Sequence, residues 1–383
     1  MAKSVVSIAQ CSNYETDTIT RSLHDVLAPL GGIEAFVKPG DTVLLKVNLL
    51  RSAAPDKAVT THPALVEATI NAVRAAGGVP IVGDSPGGPN SASMVKKIVE
   101  TTELGAVCAR TGTELVIFDT DTVRIKSTNG KLYTSFNVGR IVRDADVVIG
   151  MPKLKTHGFQ RLTGAVKVFF GVIPGLEKAQ FHLKVPGRMD FAEMLLDVYL
   201  AVKPHLSIMD AVVAMEGDGP AGGTPRSVGV LMAATDAVAM DFVASAAIGI
   251  EPLDVYTNLA AHDRGLLGGM DDIEIVGARL ADIRVDDFKL ATGDMADRIP
   301  GRFLEFFKDL ATSKPFLAAG ETCTGCATCK QSCPNDAIDL STGKPRFDYS
   351  ACIRCYCCEE LCPELAVKRK NHWIVRPFLR GRR

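Results

Sequence analysis

Nine of the chain's 11 cysteines fall within its last 61 residues, and eight of them are spaced as ligands. Cys323, Cys326, Cys329 and Cys333, followed by Pro334, form C-x2-C-x2-C-x3-C-P; Cys352, Cys355, Cys358 and Cys362, followed by Pro363, repeat it. Thiolates at this spacing suit cubane 4Fe-4S clusters. Three from one short loop hold three corners of a cube, and the fourth is turned away to ligate the neighbouring cluster. One cluster is therefore expected on Cys323, Cys326, Cys329 and Cys362, and the other on Cys352, Cys355, Cys358 and Cys333. Cys357 stands beside Cys358 and could replace it, but the spacing favours Cys358. Paired C-x2-C units also make zinc sites; two identical runs, each ending in Cys-Pro, favour iron and sulfur. Disulfides fit poorly in a cytosolic chain.

The segment from about Glu321 to Lys370 resembles the two-cluster, eight-iron ferredoxins. That resemblance implies two 4Fe-4S clusters that pass electrons singly, and hence a redox donor or acceptor protein as partner. Clusters that only brace the fold are the alternative, and adjacent clusters with exchanged ligands favour conduction.

The other chemical candidates lie in the first 290 residues. Ligands of open α/β sheets bind beyond the carboxyl ends of the strands. Polar residues gather at such ends: Lys46 and Asn48, Asp84 and Ser85, then Met151-Pro-Lys153-Leu-Lys155-Thr-His157, Asp210, and Glu216-Gly-Asp-Gly-Pro-Ala-Gly-Gly223. Pro152 biases Met151 towards extended backbone, and continued extension puts Lys153, Lys155 and His157 on one face. With Lys167, these cations suit a small anionic ligand, although surface pairing of the lysines is an equal alternative. His62 or His157 could carry a proton, and His62, preceding Pro63, could instead cap a helix. Asp236 reads as a helix cap, while Asp241, among apolar residues, reads as a site carboxylate. Gly217-Asp-Gly219-Pro-Ala-Gly222 matches G-x-G-x-x-G, but a strand-like run follows where a dinucleotide loop must open a helix.

The elements that would position these residues alternate β-branched runs with helical patterns, the signature of an α/β fold with a mostly parallel sheet and flanking helices. Expected strands are Val5–Ala9, Thr42–Val47, Pro80–Gly83, Glu114–Phe118, Asp146–Gly150, Ser207–Asp210 and Ser227–Met232. Asn129-Gly130 predicts a two-residue turn joining Val123–Lys126 to Lys131–Phe136. The expected organisation is an α/β domain over 1–290, a linker over 291–320 with a helix at Arg302–Leu310, a small ferredoxin-like α+β domain over 321–370, and a basic tail over 371–383.

Composition is that of a globular protein, with 47% hydrophobic and 23% charged residues. The formal charge of -1 leaves no footprint for nucleic acid, because the seven Lys or Arg residues from Ala366 onwards offset an acidic remainder. Val228 to Ile250 is the most apolar stretch; Asp236 and Asp241 interrupt it, so it reads as a strand and helix of the core with no transmembrane segment. A cytoplasmic location is expected.

Six motifs in order, Leu44-Leu-Lys-Val-Asn48, Thr60-Thr-His-Pro63, Gly83-Asp-Ser-Pro-Gly87, Met151-Pro-Lys-Leu-Lys-Thr-His157, Gly164-Ala-Val-Lys-Val-Phe-Phe-Gly171 and Glu216-Gly-Asp-Gly-Pro220, precede the cysteine-rich segment. Together they resemble the iron-sulfur members of the "domain of unknown function 362" family over nearly the whole chain. The resemblance implies an α/β domain of unassigned activity joined to a 4Fe-4S domain. That family often has Lys-Pro-Asn and Lys-Asn where Val47 and Val168 stand here, which implies a more apolar site. The expected function is an iron-sulfur oxidoreductase passing low-potential electrons to an anionic substrate or bound cofactor in the α/β cleft. The rival is an electron carrier or cofactor-assembly subunit without catalysis, for which a filled cleft would speak.

Overall fold

The computed structural model describes residues 3–291, 312–318, 320, 323–372 and 374. Its main sheet takes strands β1 (Ser4–Gln10), β2 (Thr42–Val47), β3 (Val79–Asp84), β4 (Glu114–Ile117), β7 (Val147–Met151), β10 (Leu206–Glu216), β11 (Thr224–Ala234) and β12 (Ile273–Gly277). Their order across the sheet is β12-β1-β11-β10-β7-β2-β3-β4, with β8 (Lys153–His157) and β9 (Arg161–Thr163) branching from β10. Pairing is parallel except around β11 and between β8 and β9. A central parallel strand is covered on both faces and reads as a continuous apolar run. Val147–Met151 is accordingly buried at every position, which is why the core strands were legible as β-branched runs.

Helices cover both faces. Pro63–Ala75 starts on His62, whose side chain accepts from the amide of Ala64, and ends where Gly77 takes φ +86°, a conformation that favours glycine. Ala237–Ala247 starts on Asp236, whose carboxylate accepts from Val238 and Ala239. The apolar stretch from Val228 thus forms the end of β11 and a buried helix, as its interrupting acids require. Cys11 and Cys108 are buried among aliphatic side chains, as small hydrophobes.

One local expectation is overturned. β5 (Thr122–Lys126) and β6 (Ser135–Gly139) do form an antiparallel pair off the main sheet, but Lys126 pairs with Ser135, so Asn129-Gly130 is no two-residue turn. The buried carboxylate of Asp197 accepts from the amides of Lys131, Leu132 and Tyr133 at 2.7–2.8 Å and holds that stretch out of the ladder. Three charge-assisted bonds from a neighbouring helix outweigh a local turn preference.

The C-terminal unit takes in β13 (Lys314–Leu317), which pairs antiparallel with β16 (Val367–Lys370), and a second pair, β14 (Ile338–Asp339) with β15 (Arg346–Phe347). It therefore includes residues upstream of the expected boundary at 321. The expected helix at 302–310 and most of the basic tail lie outside the described residues. This unit packs directly on the α/β part. Arg51 donates to the carbonyls of Pro363 and Ala221, both at 3.2 Å. A Cβ on Gly87 would come within 2.3 Å of Leu361, so a glycine is what lets the two surfaces close.

Candidate functional site

A cavity of about 100 Å³ lies where the carboxyl ends of β2 and β3 meet the C-terminal unit. Asn48, Asp84, Ser85, Lys155, His157 and Lys167 all line it. Its far wall is the cysteine-rich unit itself, through Cys357, Glu360 and Leu361. The cleft is open, where a filled one would have favoured a docking role for the α/β part.

The charges on the α/β wall fall into two kinds. Lys46 is spent: its ammonium pairs with Asp84 at 2.8 Å and donates to the carbonyls of Val47 and Val168 at 2.8 and 3.0 Å. Asp84 also accepts from the amides of Leu49 and Ser85, so it is a strut between strands and loops. Lys178, from helix Gly175–Lys184, donates to the carbonyls of Ser85 and Pro86, and burial brings it down to about 8. Lys155 is completely buried and donates to the carbonyl of Val59 at 2.6 Å. Burial holds it well below the ordinary lysine value, and Lys167 and Lys153 add repulsion. Lys167 is also lowered by burial, against the attraction of Glu360 and Cys357.

His157 has its tautomer fixed. Nδ1 accepts from the amides of Phe159 and Gln160 at 3.0 and 3.2 Å, which leaves Nε2 as the N–H, facing Glu360 at 3.4 Å. Burial, then Lys167 and Arg369, keep it well below the usual imidazole range. It is therefore held neutral, with Nε2 beside Glu360. His182 lines the cavity next to it, stacked on Phe191 at 4.4 Å between ring centres and held neutral by burial, at about 3.

Lys46 does not line the cavity, and four further expected site residues lie elsewhere. Lys153 is in an extended strand as expected, but a bulge in β10 places Asp210 opposite it, and the two pair at 2.9 Å with neither exposed. Tyr14 bonds both, at 2.8 Å to the ammonium and 2.7 Å to the carboxylate. His62 caps its helix, stacks on Tyr14 at 3.5 Å, and is brought down to about 4 by burial. Glu216 accepts from Lys289. Asp241 is buried, raised to about 7 by that burial, and binds the amides of Ala165 and Val166 at 2.6 and 3.0 Å. The fold gives each of them partners away from the cavity.

The eight spaced cysteines surround two further, smaller cavities of about 20 Å³ each. Cys323, Cys326, Cys329 and Cys362 line one; Cys333, Cys352, Cys355 and Cys358 line the other. Each set therefore draws three thiols from one motif and one from the other. Among the described residues no three His, Cys, Asp or Glu side chains converge to hold a single metal ion. Thiols drawn three and one from two interleaved motifs fit clusters with exchanged ligands better than a tetrahedral zinc. Cys357 lines both the second of these cavities and the large one.

Fold and site together define an α/β protein fused to an iron-sulfur unit. A model of a 4Fe-4S dicluster domain matches residues 317–363. The domain of unknown function DUF362 matches residues 43–246, and the chain belongs to that family. It is 34% identical over 296 residues to the thylakoid-associated protein sll1697 of Synechocystis sp., spanning 76% of this chain and 88% of that one. Among solved structures, the lactate racemase apoprotein of Thermoanaerobacterium thermosaccharolyticum superposes with a TM-score of 0.38 at 13% identity. That match covers 62% of this chain and 55% of the racemase. No helix among the described residues is long and apolar enough to cross a membrane.

Lys178, His182, Glu360 and Cys357 were not anticipated as cavity residues. Lys178 and His182 are four apart on one helix with Phe181 between them. A cation and an imidazole at i, i+4 beside an aromatic is a signal that could have found them. Glu360 and Cys357 arrive from the other domain, which only the tertiary structure brings near.

Proposed function

We propose that the C-terminal unit holds two 4Fe-4S clusters and passes electrons to a small anionic ligand in the large cavity. The observation that carries this reading is the shared wall: Cys357 lies between the second thiol ring and the cavity, on the short helix that also bears Cys358. Such clusters supply low-potential electrons one at a time when bound. The first ring lies at the surface, where Cys326 is exposed, and this is the side from which a redox partner protein would donate. The second ring lies against the cavity.

The chain's own residues would then bind and orient. Lys155 and Lys167 hold negative charge, Asp84 and Ser85 shape the floor, and His157 stands beside Glu360 at 3.4 Å. His157 is no general base in this reading, because Nδ1 is already occupied. The thiols require a reducing compartment, in keeping with the cytoplasm; the name of the Synechocystis relative adds a membrane surface as an alternative setting.

Iron and acid-labile sulfide analysis of anaerobically purified protein, with EPR after dithionite reduction, tests the cluster assignment. About eight irons per chain with spin-coupled signals are expected. Zinc in stoichiometric amount, or iron near four, would sink the two-cluster reading.

A further inference from the structure

The cavity's α/β wall has two chemistries. On one side stand Lys155 and Lys167. Among the described residues Lys155 has one hydrogen-bond acceptor, the carbonyl of Val59, for its three donors, and no hydrogen bond involves Lys167. Of the nearby carboxylates, Asp84 is committed to Lys46 and two amides, and Glu360 attracts Lys167, so the two lysines share one carboxylate. A buried ammonium with donors to spare, as at Lys155, is costly unless an anion meets it.

Another part of the α/β wall is aromatic. Phe170 stands edge-on to Phe191 at 5.4 Å and to His182 at 6.3 Å, and the neutral His182 ring lies nearly parallel to Phe191. Val168 and Leu361 extend this apolar surface. Flat rings lining a cavity favour a flat guest.

We infer that the cavity takes a carboxylate with a planar apolar body: the carboxylate between Lys155 and Lys167, the ring against Phe170, Phe191 and His182. This rests on the proposed function only in taking that ligand as the one electrons reach. The lysines have one other possible task, to offset the negative charge of an adjacent cluster.

Calorimetric titration of the oxidised, iron-loaded full chain with 2-naphthoate, 2-naphthamide and acetate separates these possibilities. One saturable site is expected, with naphthoate bound roughly tenfold or more tighter than the amide or acetate. Lys155→Met combined with Lys167→Met should cost naphthoate roughly tenfold in affinity with iron content kept. Phe191→Leu, a milder change away from the charges, should weaken it severalfold and keeps the test decisive if the double variant does not fold. Equal binding of the amide, no naphthoate binding, or a double variant that binds naphthoate normally while its cluster potential shifts would overturn the inference. Naphthoate binding without electron transfer would defeat the electron-delivery reading and leave this one standing.

Discussion

Replacing Cys358 with alanine is expected to remove the cluster of the second ring and about half of the chain's iron, whereas Cys357→Ala keeps the full iron content. The two residues are adjacent on one short helix and both are buried, so burial does not separate them. Placement does. Cys358 faces only the second thiol ring, while Cys357 also faces the large cavity and lies close enough to Lys167 to raise its proton affinity. Iron content, sulfide and EPR of the two variants decide the matter. Iron lost from Cys357→Ala and retained in Cys358→Ala would reverse the assignment and remove the thiol wall from the account.

The second large effect concerns stability. Asp210→Ala should cost about 3–5 kcal/mol, because it leaves the buried Lys153 ammonium without its counter-charge. The same carboxylate also accepts from Tyr14 at 2.7 Å and from the amides of His62 and Val212 at 2.9 and 3.4 Å, so one change strips four donors. Against a total of roughly 5–15 kcal/mol for a typical domain, that is a large fraction. Urea denaturation reads it directly. Adding Lys153→Met should recover part of the loss, since an apolar replacement of the whole pair is tolerated far better than one orphaned charge. A loss under about 1 kcal/mol, in the range of an exposed pair, would mean that the buried network is not what anchors β8.

These effects mark where the sequence could and could not be read. The core strands were legible because buried parallel strands demand long apolar runs, as in Thr42–Val47 and Val147–Met151. The rule that ligands gather beyond strand ends brought Asn48, Asp84, Ser85, Lys155, His157 and Lys167 to one cavity. It could not tell which charges the fold would consume. Lys46 and Lys153 have the same type and loop position as Lys155, yet Asp84 and Asp210 take them, and such pairing depends on register and bulges between strands distant in sequence. The hairpin at Asn129-Gly130 failed for the same reason, through Asp197. The contribution of Glu360 and Cys357 follows from domain packing, for which no local pattern exists.

That electrons leave through the cavity is the central claim, and 4-nitrobenzoate, a reducible planar carboxylate, tests it most directly. Dithionite-reduced protein, freed of excess reductant, is mixed with it anaerobically and cluster reoxidation is followed by absorbance. The account predicts a rate that saturates with 4-nitrobenzoate, is inhibited by 2-naphthoate, and is lost in Ala179→Trp, which fills the cavity without touching a cysteine. A rate that rises linearly with concentration and is the same in wild type and Ala179→Trp would place the transfer at the protein surface and contradict it.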